Sequence, residues 1–371
     1  MTTGFTPPPY PYDRLSEVAA LAAAHEGGMV DCSIGTPCDP PAAAVIAALG
    51  ASGTERGYPT SQGSAVFREA AQGWLARRFD VAVGSDDIAG CVGTKEMVAS
   101  TAHYLSLRDP SRTVVLFPAI SYPTYAMGAT LAGLEPIPVP LEEGRLALET
   151  IPEKVAQRAL LLWSNSPSNP TGALDALDEA ASWGRRHGVI VCSDECYADF
   201  TWAGAPQSIL SEGLDGVLAV HSLSKRSNLA GVRAGFYAGD PELVRYLRVV
   251  RQHAGMMIPG PVQAAAAVAY DDDEHVEAQR AVYVERLELV SSALTAAGYP
   301  VPYPEGTFYL WIPVPEHLED GWALADELAR RAGILVSPGD LYGEAGSRFA
   351  RLAVVQPTDH LRVALERLAS S

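Results

Sequence analysis

With 371 residues, 48% of them hydrophobic and 19% charged, the chain has the composition of a folded protein of one large or two medium domains. A formal net charge of −17 argues against a surface that attracts nucleic acid or anionic membranes over most of its area. No apolar run reaches the roughly 18 residues a membrane helix needs, and MTTGFTPPPYPYDRL lacks the regions of an export signal, so a cytoplasmic protein is expected.

A proline-rich arm at residues 7–11 comes first, and there is no internal repeat. From about residue 85 to 240, short apolar runs alternate with helical patterns. In CVGTKEM (91–97) the N–H groups of Gly93, Thr94 and Lys95 open a helix predicted over 94–107, which makes an anion site or an ordinary helix start. TVVLF (113–117), EPIPV (135–139) and ALLLW (159–163) read as strands. SNSPSNPTG (164–172) follows, either a plain turn or a loop that presents the Asn169 amide to a ligand. A helix is predicted over 174–188, then the strand VIVCS (189–193), with Asp194 just past its end and Tyr197 three residues on. A carboxylate there is either a cap or one half of a charge pair, because burying it alone is costly.

The strand VLAV (217–220) leads into HSLSKRSNLAGVRAGF (221–236), which overlaps the strand AGFYAG (234–239). A lone lysine in a loop is ordinarily a solvated charge. Lys225 instead follows a buried strand, between Ser222, Ser224 and Arg233, where desolvation would make its amine a nucleophile toward a carbonyl. The two hydroxyls and the guanidinium could hold a phosphate. Residues 271–299 read as one long helix opened by acids and closed by Gly298. TFYLWIPV, a helix near 322–332, GILVSPG and FARLAVV then suggest a smaller α+β unit, with a boundary near 270–280. Continuous apolar strands predict an α/β protein with a mostly parallel sheet and its ligand at the carboxyl ends of the strands.

Cys32, Cys38, Cys91, Cys192 and Cys196 form neither an even framework nor a CxxC pair, so reduced thiols are expected. No His/Cys pair completes a metal site with Cys192 and Cys196, and no metal is expected.

SNPTG, SDECYADF and SLSKRSNLAGVRAGF, in that order, resemble the fold-type I pyridoxal-phosphate aminotransferases of the aspartate aminotransferase superfamily over nearly the whole chain. The resemblance implies pyridoxal 5′-phosphate, bonded to Lys225, with Asp194 keeping its ring nitrogen protonated. It implies that Asn169 and Tyr197 bond the ring's phenolic oxygen and that Tyr122 stacks on the ring. The phosphate cup would be Ser222, Ser224, Arg233 and the Gly93, Thr94 and Lys95 amides, with Tyr58 reaching the cup of a neighbouring subunit. Arg351, with the Gly35 backbone close by, would clamp the substrate's α-carboxylate. The implied architecture is a cofactor-binding large domain over 45–275 and a small domain made of 1–44 and 276–371, in a homodimer with shared active sites. The implied reaction moves an amino group between amino and 2-oxo acids in ping-pong fashion.

SIGTPCDP, GYPTSQG, VGTKE, NSPSNPTG and RQHAGMMIPGPVQAA further resemble actinobacterial N-succinyldiaminopimelate aminotransferases of lysine biosynthesis. That implies N-succinyl-LL-2,6-diaminopimelate and 2-oxoglutarate as substrates. Lys95 departs from the uncharged or acidic residue common at its place in the superfamily, and either reaches substrate or projects to solvent. The other readings are an aminotransferase for aspartate or aromatic amino acids, or a β-lyase or decarboxylase on the same cofactor. Ser222-Leu223-Ser224-Lys225 also fits the S-x-x-K pattern of serine acyltransferases, but SDN and KTG elements are missing. A non-enzymatic sensor would need a DNA-binding module, and the N-terminal arm is too short and too weakly basic for one.

Overall fold

The computed structural model describes residues 4–51 and 53–370. Its central sheet has seven strands in the spatial order Ile88–Cys91, Gly235–Gly239, Val217–Ser222, Ile190–Asp194, Ala159–Asn165, Val114–Pro118 and Glu135–Val139. Gly235–Gly239 runs antiparallel to both neighbours, and every other pairing is parallel. Successive strand residues point to opposite faces, and here both faces are covered. Val217, Ala219, Phe236 and Ala238 pack into one apolar cluster, while Leu218, Val220 and Tyr237 pack into another on the far side. Two-sided burial is why these strands read as unbroken apolar runs rather than as alternation.

A second unit carries the three-stranded sheet Tyr309–Pro313, Phe349–Ala353, Ser337–Pro338. The short strand Val30–Asp31 pairs in parallel with Ile334–Leu335. Val18, Ala22 and Val30 accordingly share a cluster with Leu287, Leu310 and Leu352, whereas Val45 belongs to the cluster under the large sheet.

The long helix expected over 271–299 runs over Glu274–Ala296, and Asp271 is instead the last residue of a separate helix, Gly260–Asp271. Asp272 is extended (φ −105°, ψ 109°), and its carboxylate accepts from the N–H groups of Glu274 and His275. The acids therefore open the long helix as expected, Asp272 capping its first N–H groups and Glu274 and Glu277 standing in its first turn. The helix expected from 174 begins at Leu177, because buried Asp175 is engaged by Ser164, Leu146 and Ala176. It closes where Gly188 turns left-handed at φ 62°. Among the described residues no helix is long and apolar enough to cross a membrane, and no group of side chains could hold a metal ion. All five cysteines are free thiols.

Candidate active site

Four strands of the large sheet end at one edge, and the residue or loop following each reaches a single cavity of about 460 Å³. Tyr122 follows Val114–Pro118, Asn169 follows Ala159–Asn165, Asp194 ends Ile190–Asp194, and Ser222 ends Val217–Ser222. Thr94, Lys95, Tyr197, Ser224, Lys225 and Arg233 line it as well, and the second unit adds Gly35 and Arg351. The expected residues are thus brought together, with two exceptions. Gly93 lies under the cavity wall rather than in it, and Tyr58 stands apart, 99% exposed.

Lys225 is half-buried, and its Nζ donates to the Gly35 carbonyl. Burial, helped by the positive charge of Arg351, pulls its pKa down from the ordinary lysine value to about 8. Asp194 is the opposite case. Burial pushes its carboxyl above the usual range, against hydrogen bonds from Cys196 and Tyr125. The Tyr125 hydroxyl donates to Oδ2 at 2.9 Å and the Cys196 N–H to Oδ1 at 3.2 Å. Among the described residues no cation pairs with this acid. A buried carboxylate facing a cavity with no counter-charge fits a ligand that brings a cationic group of its own.

At the other end of the cavity the chain has made room for an anion. Gly93 turns from strand to helix at φ 73°, and a Cβ there would fall 2.2 Å from Arg233 Nη2. Arg233 is itself left-handed at φ 60°, a conformation costing a non-glycine residue about 1 kcal/mol. Its Nη1 donates to the Ala230 carbonyl at 2.9 Å, which leaves the rest of the fork for a ligand. The Ser222 hydroxyl accepts from the Ser224 N–H at 3.1 Å, so the two serines are set side by side. Hydroxyls, a guanidinium and an uncapped helix start suit a phosphate.

Arg351 is 2% exposed and lies between two tyrosine rings, 4.2 Å from the centre of Tyr309 and 4.8 Å from that of Tyr342. Its Nη1 donates to Asn169 Oδ1 at 2.7 Å and its Nη2 to the Ser33 carbonyl. The Tyr197 and Tyr309 hydroxyls are 2.8 Å apart. At the mouth, Lys95 Nζ donates to the Tyr10 hydroxyl at 3.2 Å and stands 5.7 Å from the centre of the Tyr122 ring.

Tyr10, Tyr12, Tyr125, Cys196 and Tyr309 also line the cavity and were not expected there. Tyr125 had a legible signal, an aromatic residue in the first turn of a helix opened by Pro123, just past the end of an expected strand. Tyr10 and Tyr12 had none, because an irregular arm has no period to read.

A family model described as aminotransferase class I and II matches residues 28–368. A protein of Mycobacterium tuberculosis named as a probable aminotransferase is 42% identical, over 97% of this chain and 85% of its own. The 4-dedimethylamino-4-oxo-anhydrotetracycline transaminase of Streptomyces rimosus is 41% identical over 97% of this chain and 99% of its own. Among solved structures, a probable N-succinyldiaminopimelate aminotransferase from Thermus thermophilus superposes with a TM-score of 0.87 at 30% identity, covering 97% of this chain and 99% of that one.

Proposed function

The chain belongs to the class I and II aminotransferases, which use pyridoxal phosphate, and from that premise we propose that it exchanges an amino group between N-succinyl-LL-2,6-diaminopimelate and 2-oxoglutarate. The observation that carries the catalytic part is the meeting of Lys225, Asp194 and Arg351 around one cavity. When bound, the cofactor supplies an electron sink for charge that develops at the substrate's α-carbon. Each residue then has a task set by its surroundings.

Lys225 Nζ would hold the cofactor, and as a free amine it would take up the proton from the substrate's α-carbon, a task suited to an amine whose pKa is pulled down to about 8. Asp194, braced by Tyr125 and the Cys196 N–H, would favour a proton on the ring nitrogen. Tyr197 and Asn169 would hold the cofactor's phenolic oxygen, and Tyr122 would pack against its ring. Ser222, Ser224, Arg233 and the amides at Thr94 and Lys95 would take the phosphate, whereas the expected Gly93 amide is engaged by the Cys91 carbonyl. Arg351, held planar between Tyr309 and Tyr342, receives the α-carboxylate on its fork. The division into 45–275 and 1–44 with 276–371 is supported by the separate apolar clusters of the two units. The homodimer belongs to the same proposal, with Tyr58 serving the other subunit.

The substrate assignment is supported by Lys95 and by the likeness to the Thermus protein. Lys225, Arg233 and Arg351 are the other cations lining the cavity, and each has a task near the cofactor. Lys95, at the mouth, is left to meet the distal, acidic end of a long substrate. A second reading comes from the same place. Tyr10, Tyr12 and Tyr122 give the mouth an aromatic wall suited to a planar polycyclic ketone, the kind of compound named for the Streptomyces relative.

A coupled assay of glutamate formation from 2-oxoglutarate, run over a panel of amino donors, separates these readings. N-succinyl-LL-2,6-diaminopimelate should show the highest kcat/KM, and Lys95→Met should raise its KM about tenfold while changing that for phenylalanine little. A higher kcat/KM for aspartate, an aromatic amino acid or an aminated polycyclic ketone would refute the assignment.

A further inference from the structure

We propose that Arg251 and Glu96 are a positioning pair that keeps the amino end of the Thr94–Arg108 helix open for the cofactor's phosphate. This rests on the reading of that helix end as part of the phosphate cup. Glu96 is the third residue of the helix. A glutamate there ordinarily folds back onto the residue that opens the helix, closing the orphan N–H groups. Its charge is also drawn toward the positive end of the helix, where it would compete with a phosphate.

In this chain the carboxylate is held elsewhere. Arg251, from the helix Pro241–His253, is 0% exposed and grips both oxygens, Nη1 to Oε1 at 2.7 Å and Nη2 to Oε2 at 2.8 Å. Glu96 also accepts from the Ser100 hydroxyl at 3.0 Å and the Val92 N–H at 3.3 Å. The Gly93 N–H, which a folded-back glutamate would take, donates to the Cys91 carbonyl at 2.8 Å. Among the described residues no side chain accepts from the Thr94 or Lys95 N–H. Arg251 also lies 5.6 Å from the centre of the Tyr237 ring, on the strand beside Ile88–Cys91 that feeds the turn. The guanidinium therefore does two things at once. It cancels a negative charge close to where a phosphate would sit, and it fixes that charge away from the two free amides.

The test compares pyridoxal phosphate with pyridoxal, which lacks the phosphate, each titrated by absorbance into the full-length chain stripped of cofactor. Arg251→Met should raise the Kd for pyridoxal phosphate by about tenfold or more and that for pyridoxal by less than about threefold. Glu96→Gln should not weaken pyridoxal phosphate, and adding it to Arg251→Met should restore that Kd to within about threefold of the parent. Equal losses for both ligands, or a double variant no better than Arg251→Met, would overturn the proposal, since that is how a purely structural pair behaves. If Arg251→Met does not fold, Glu96→Gln decides, and weakened phosphate-dependent binding in it is equally fatal. Arg233→Met separates this from the parent reading. If it abolishes the preference for pyridoxal phosphate while Arg251→Met leaves it intact, the pair is wrong and the cup stands. If Arg233→Met leaves that preference untouched, the cup is wrong as well.

Discussion

An ordinary lysine keeps its proton up to about pH 10.4, whereas the Lys225 amine, desolvated and near Arg351, gives it up at about 8. Below that pH the amine is protonated and has no lone pair to offer, so the cofactor-free chain should condense with pyridoxal phosphate about tenfold more slowly for each pH unit below the midpoint. The rate should climb through pH 8 and level off above it, and Lys225→Ala should abolish it. Stopped-flow absorbance gives the profile directly, and a midpoint near 10 would show that burial does not tune this amine. Lys225 and Asp194 stood out in the sequence because each follows a recognisable apolar strand, and Arg233 because it stands just before one. The hydroxyl that braces Asp194 did not. Tyr125 reaches it from a helix 69 residues earlier in the chain, and local pattern carries no information about such a meeting.

At the scale of elements, the six strands read between 113 and 239 fall within one or two residues of those observed, because continuous apolar sequence has few other uses. Ile88–Cys91, four residues long with glycine at its third position, was not read as a strand, although both its faces are buried. The helix after Tyr270 was read with its start three residues early, since nothing in a run of acids separates Asp271, which ends one helix, from Asp272, which caps the next. This junction is anchored by Arg226, next to Lys225. Its Nε meets Asp199 at 3.1 Å, its Nη2 meets Asp273 at 3.1 Å, and it donates to the carbonyls of Ala269 and Asp272. The side chain is 2% exposed and lies 5.5 Å from the centres of the Trp74 and Tyr270 rings. Removing one partner of a buried pair leaves the other charge uncompensated. Arg226→Met should therefore lower the free energy of unfolding by about 3 kcal/mol, read from urea denaturation. Asp273→Ala, at the half-exposed end of the same network, should cost less than about 1 kcal/mol. Equal losses from the two would mean that the exposed end of the junction matters as much as the buried one.

For the whole molecule, the sequence pattern shows a change near residue 270, but the joining of the N-terminal segment to the C-terminal unit was expected only from the resemblance and has no local signal. Val30–Asp31 pairs with residues more than 300 positions away, and a two-residue strand leaves no period to detect. The assembly raises a different question. Tyr58 is 99% exposed, and Ile46 and Val66, on the helices either side of it in the chain, are 48% and 65% exposed. Single exposed apolar residues are ordinary, but an aromatic ring fully in water gains from being covered. A chain with net charge −17 also repels its own copies, so any stable dimer must bury an apolar face to outweigh that repulsion. If the Tyr58 loop is that face, light scattering should give a dimer for the parent chain. Tyr58→Ala should then weaken dimerisation and cofactor retention together, since one hydroxyl would be lost from each partner's phosphate cup. The two losses should both deepen as the protein is diluted. An active monomer in the parent chain, or a Tyr58→Ala variant that keeps its cofactor at every concentration, would show instead that each cavity is complete within one chain.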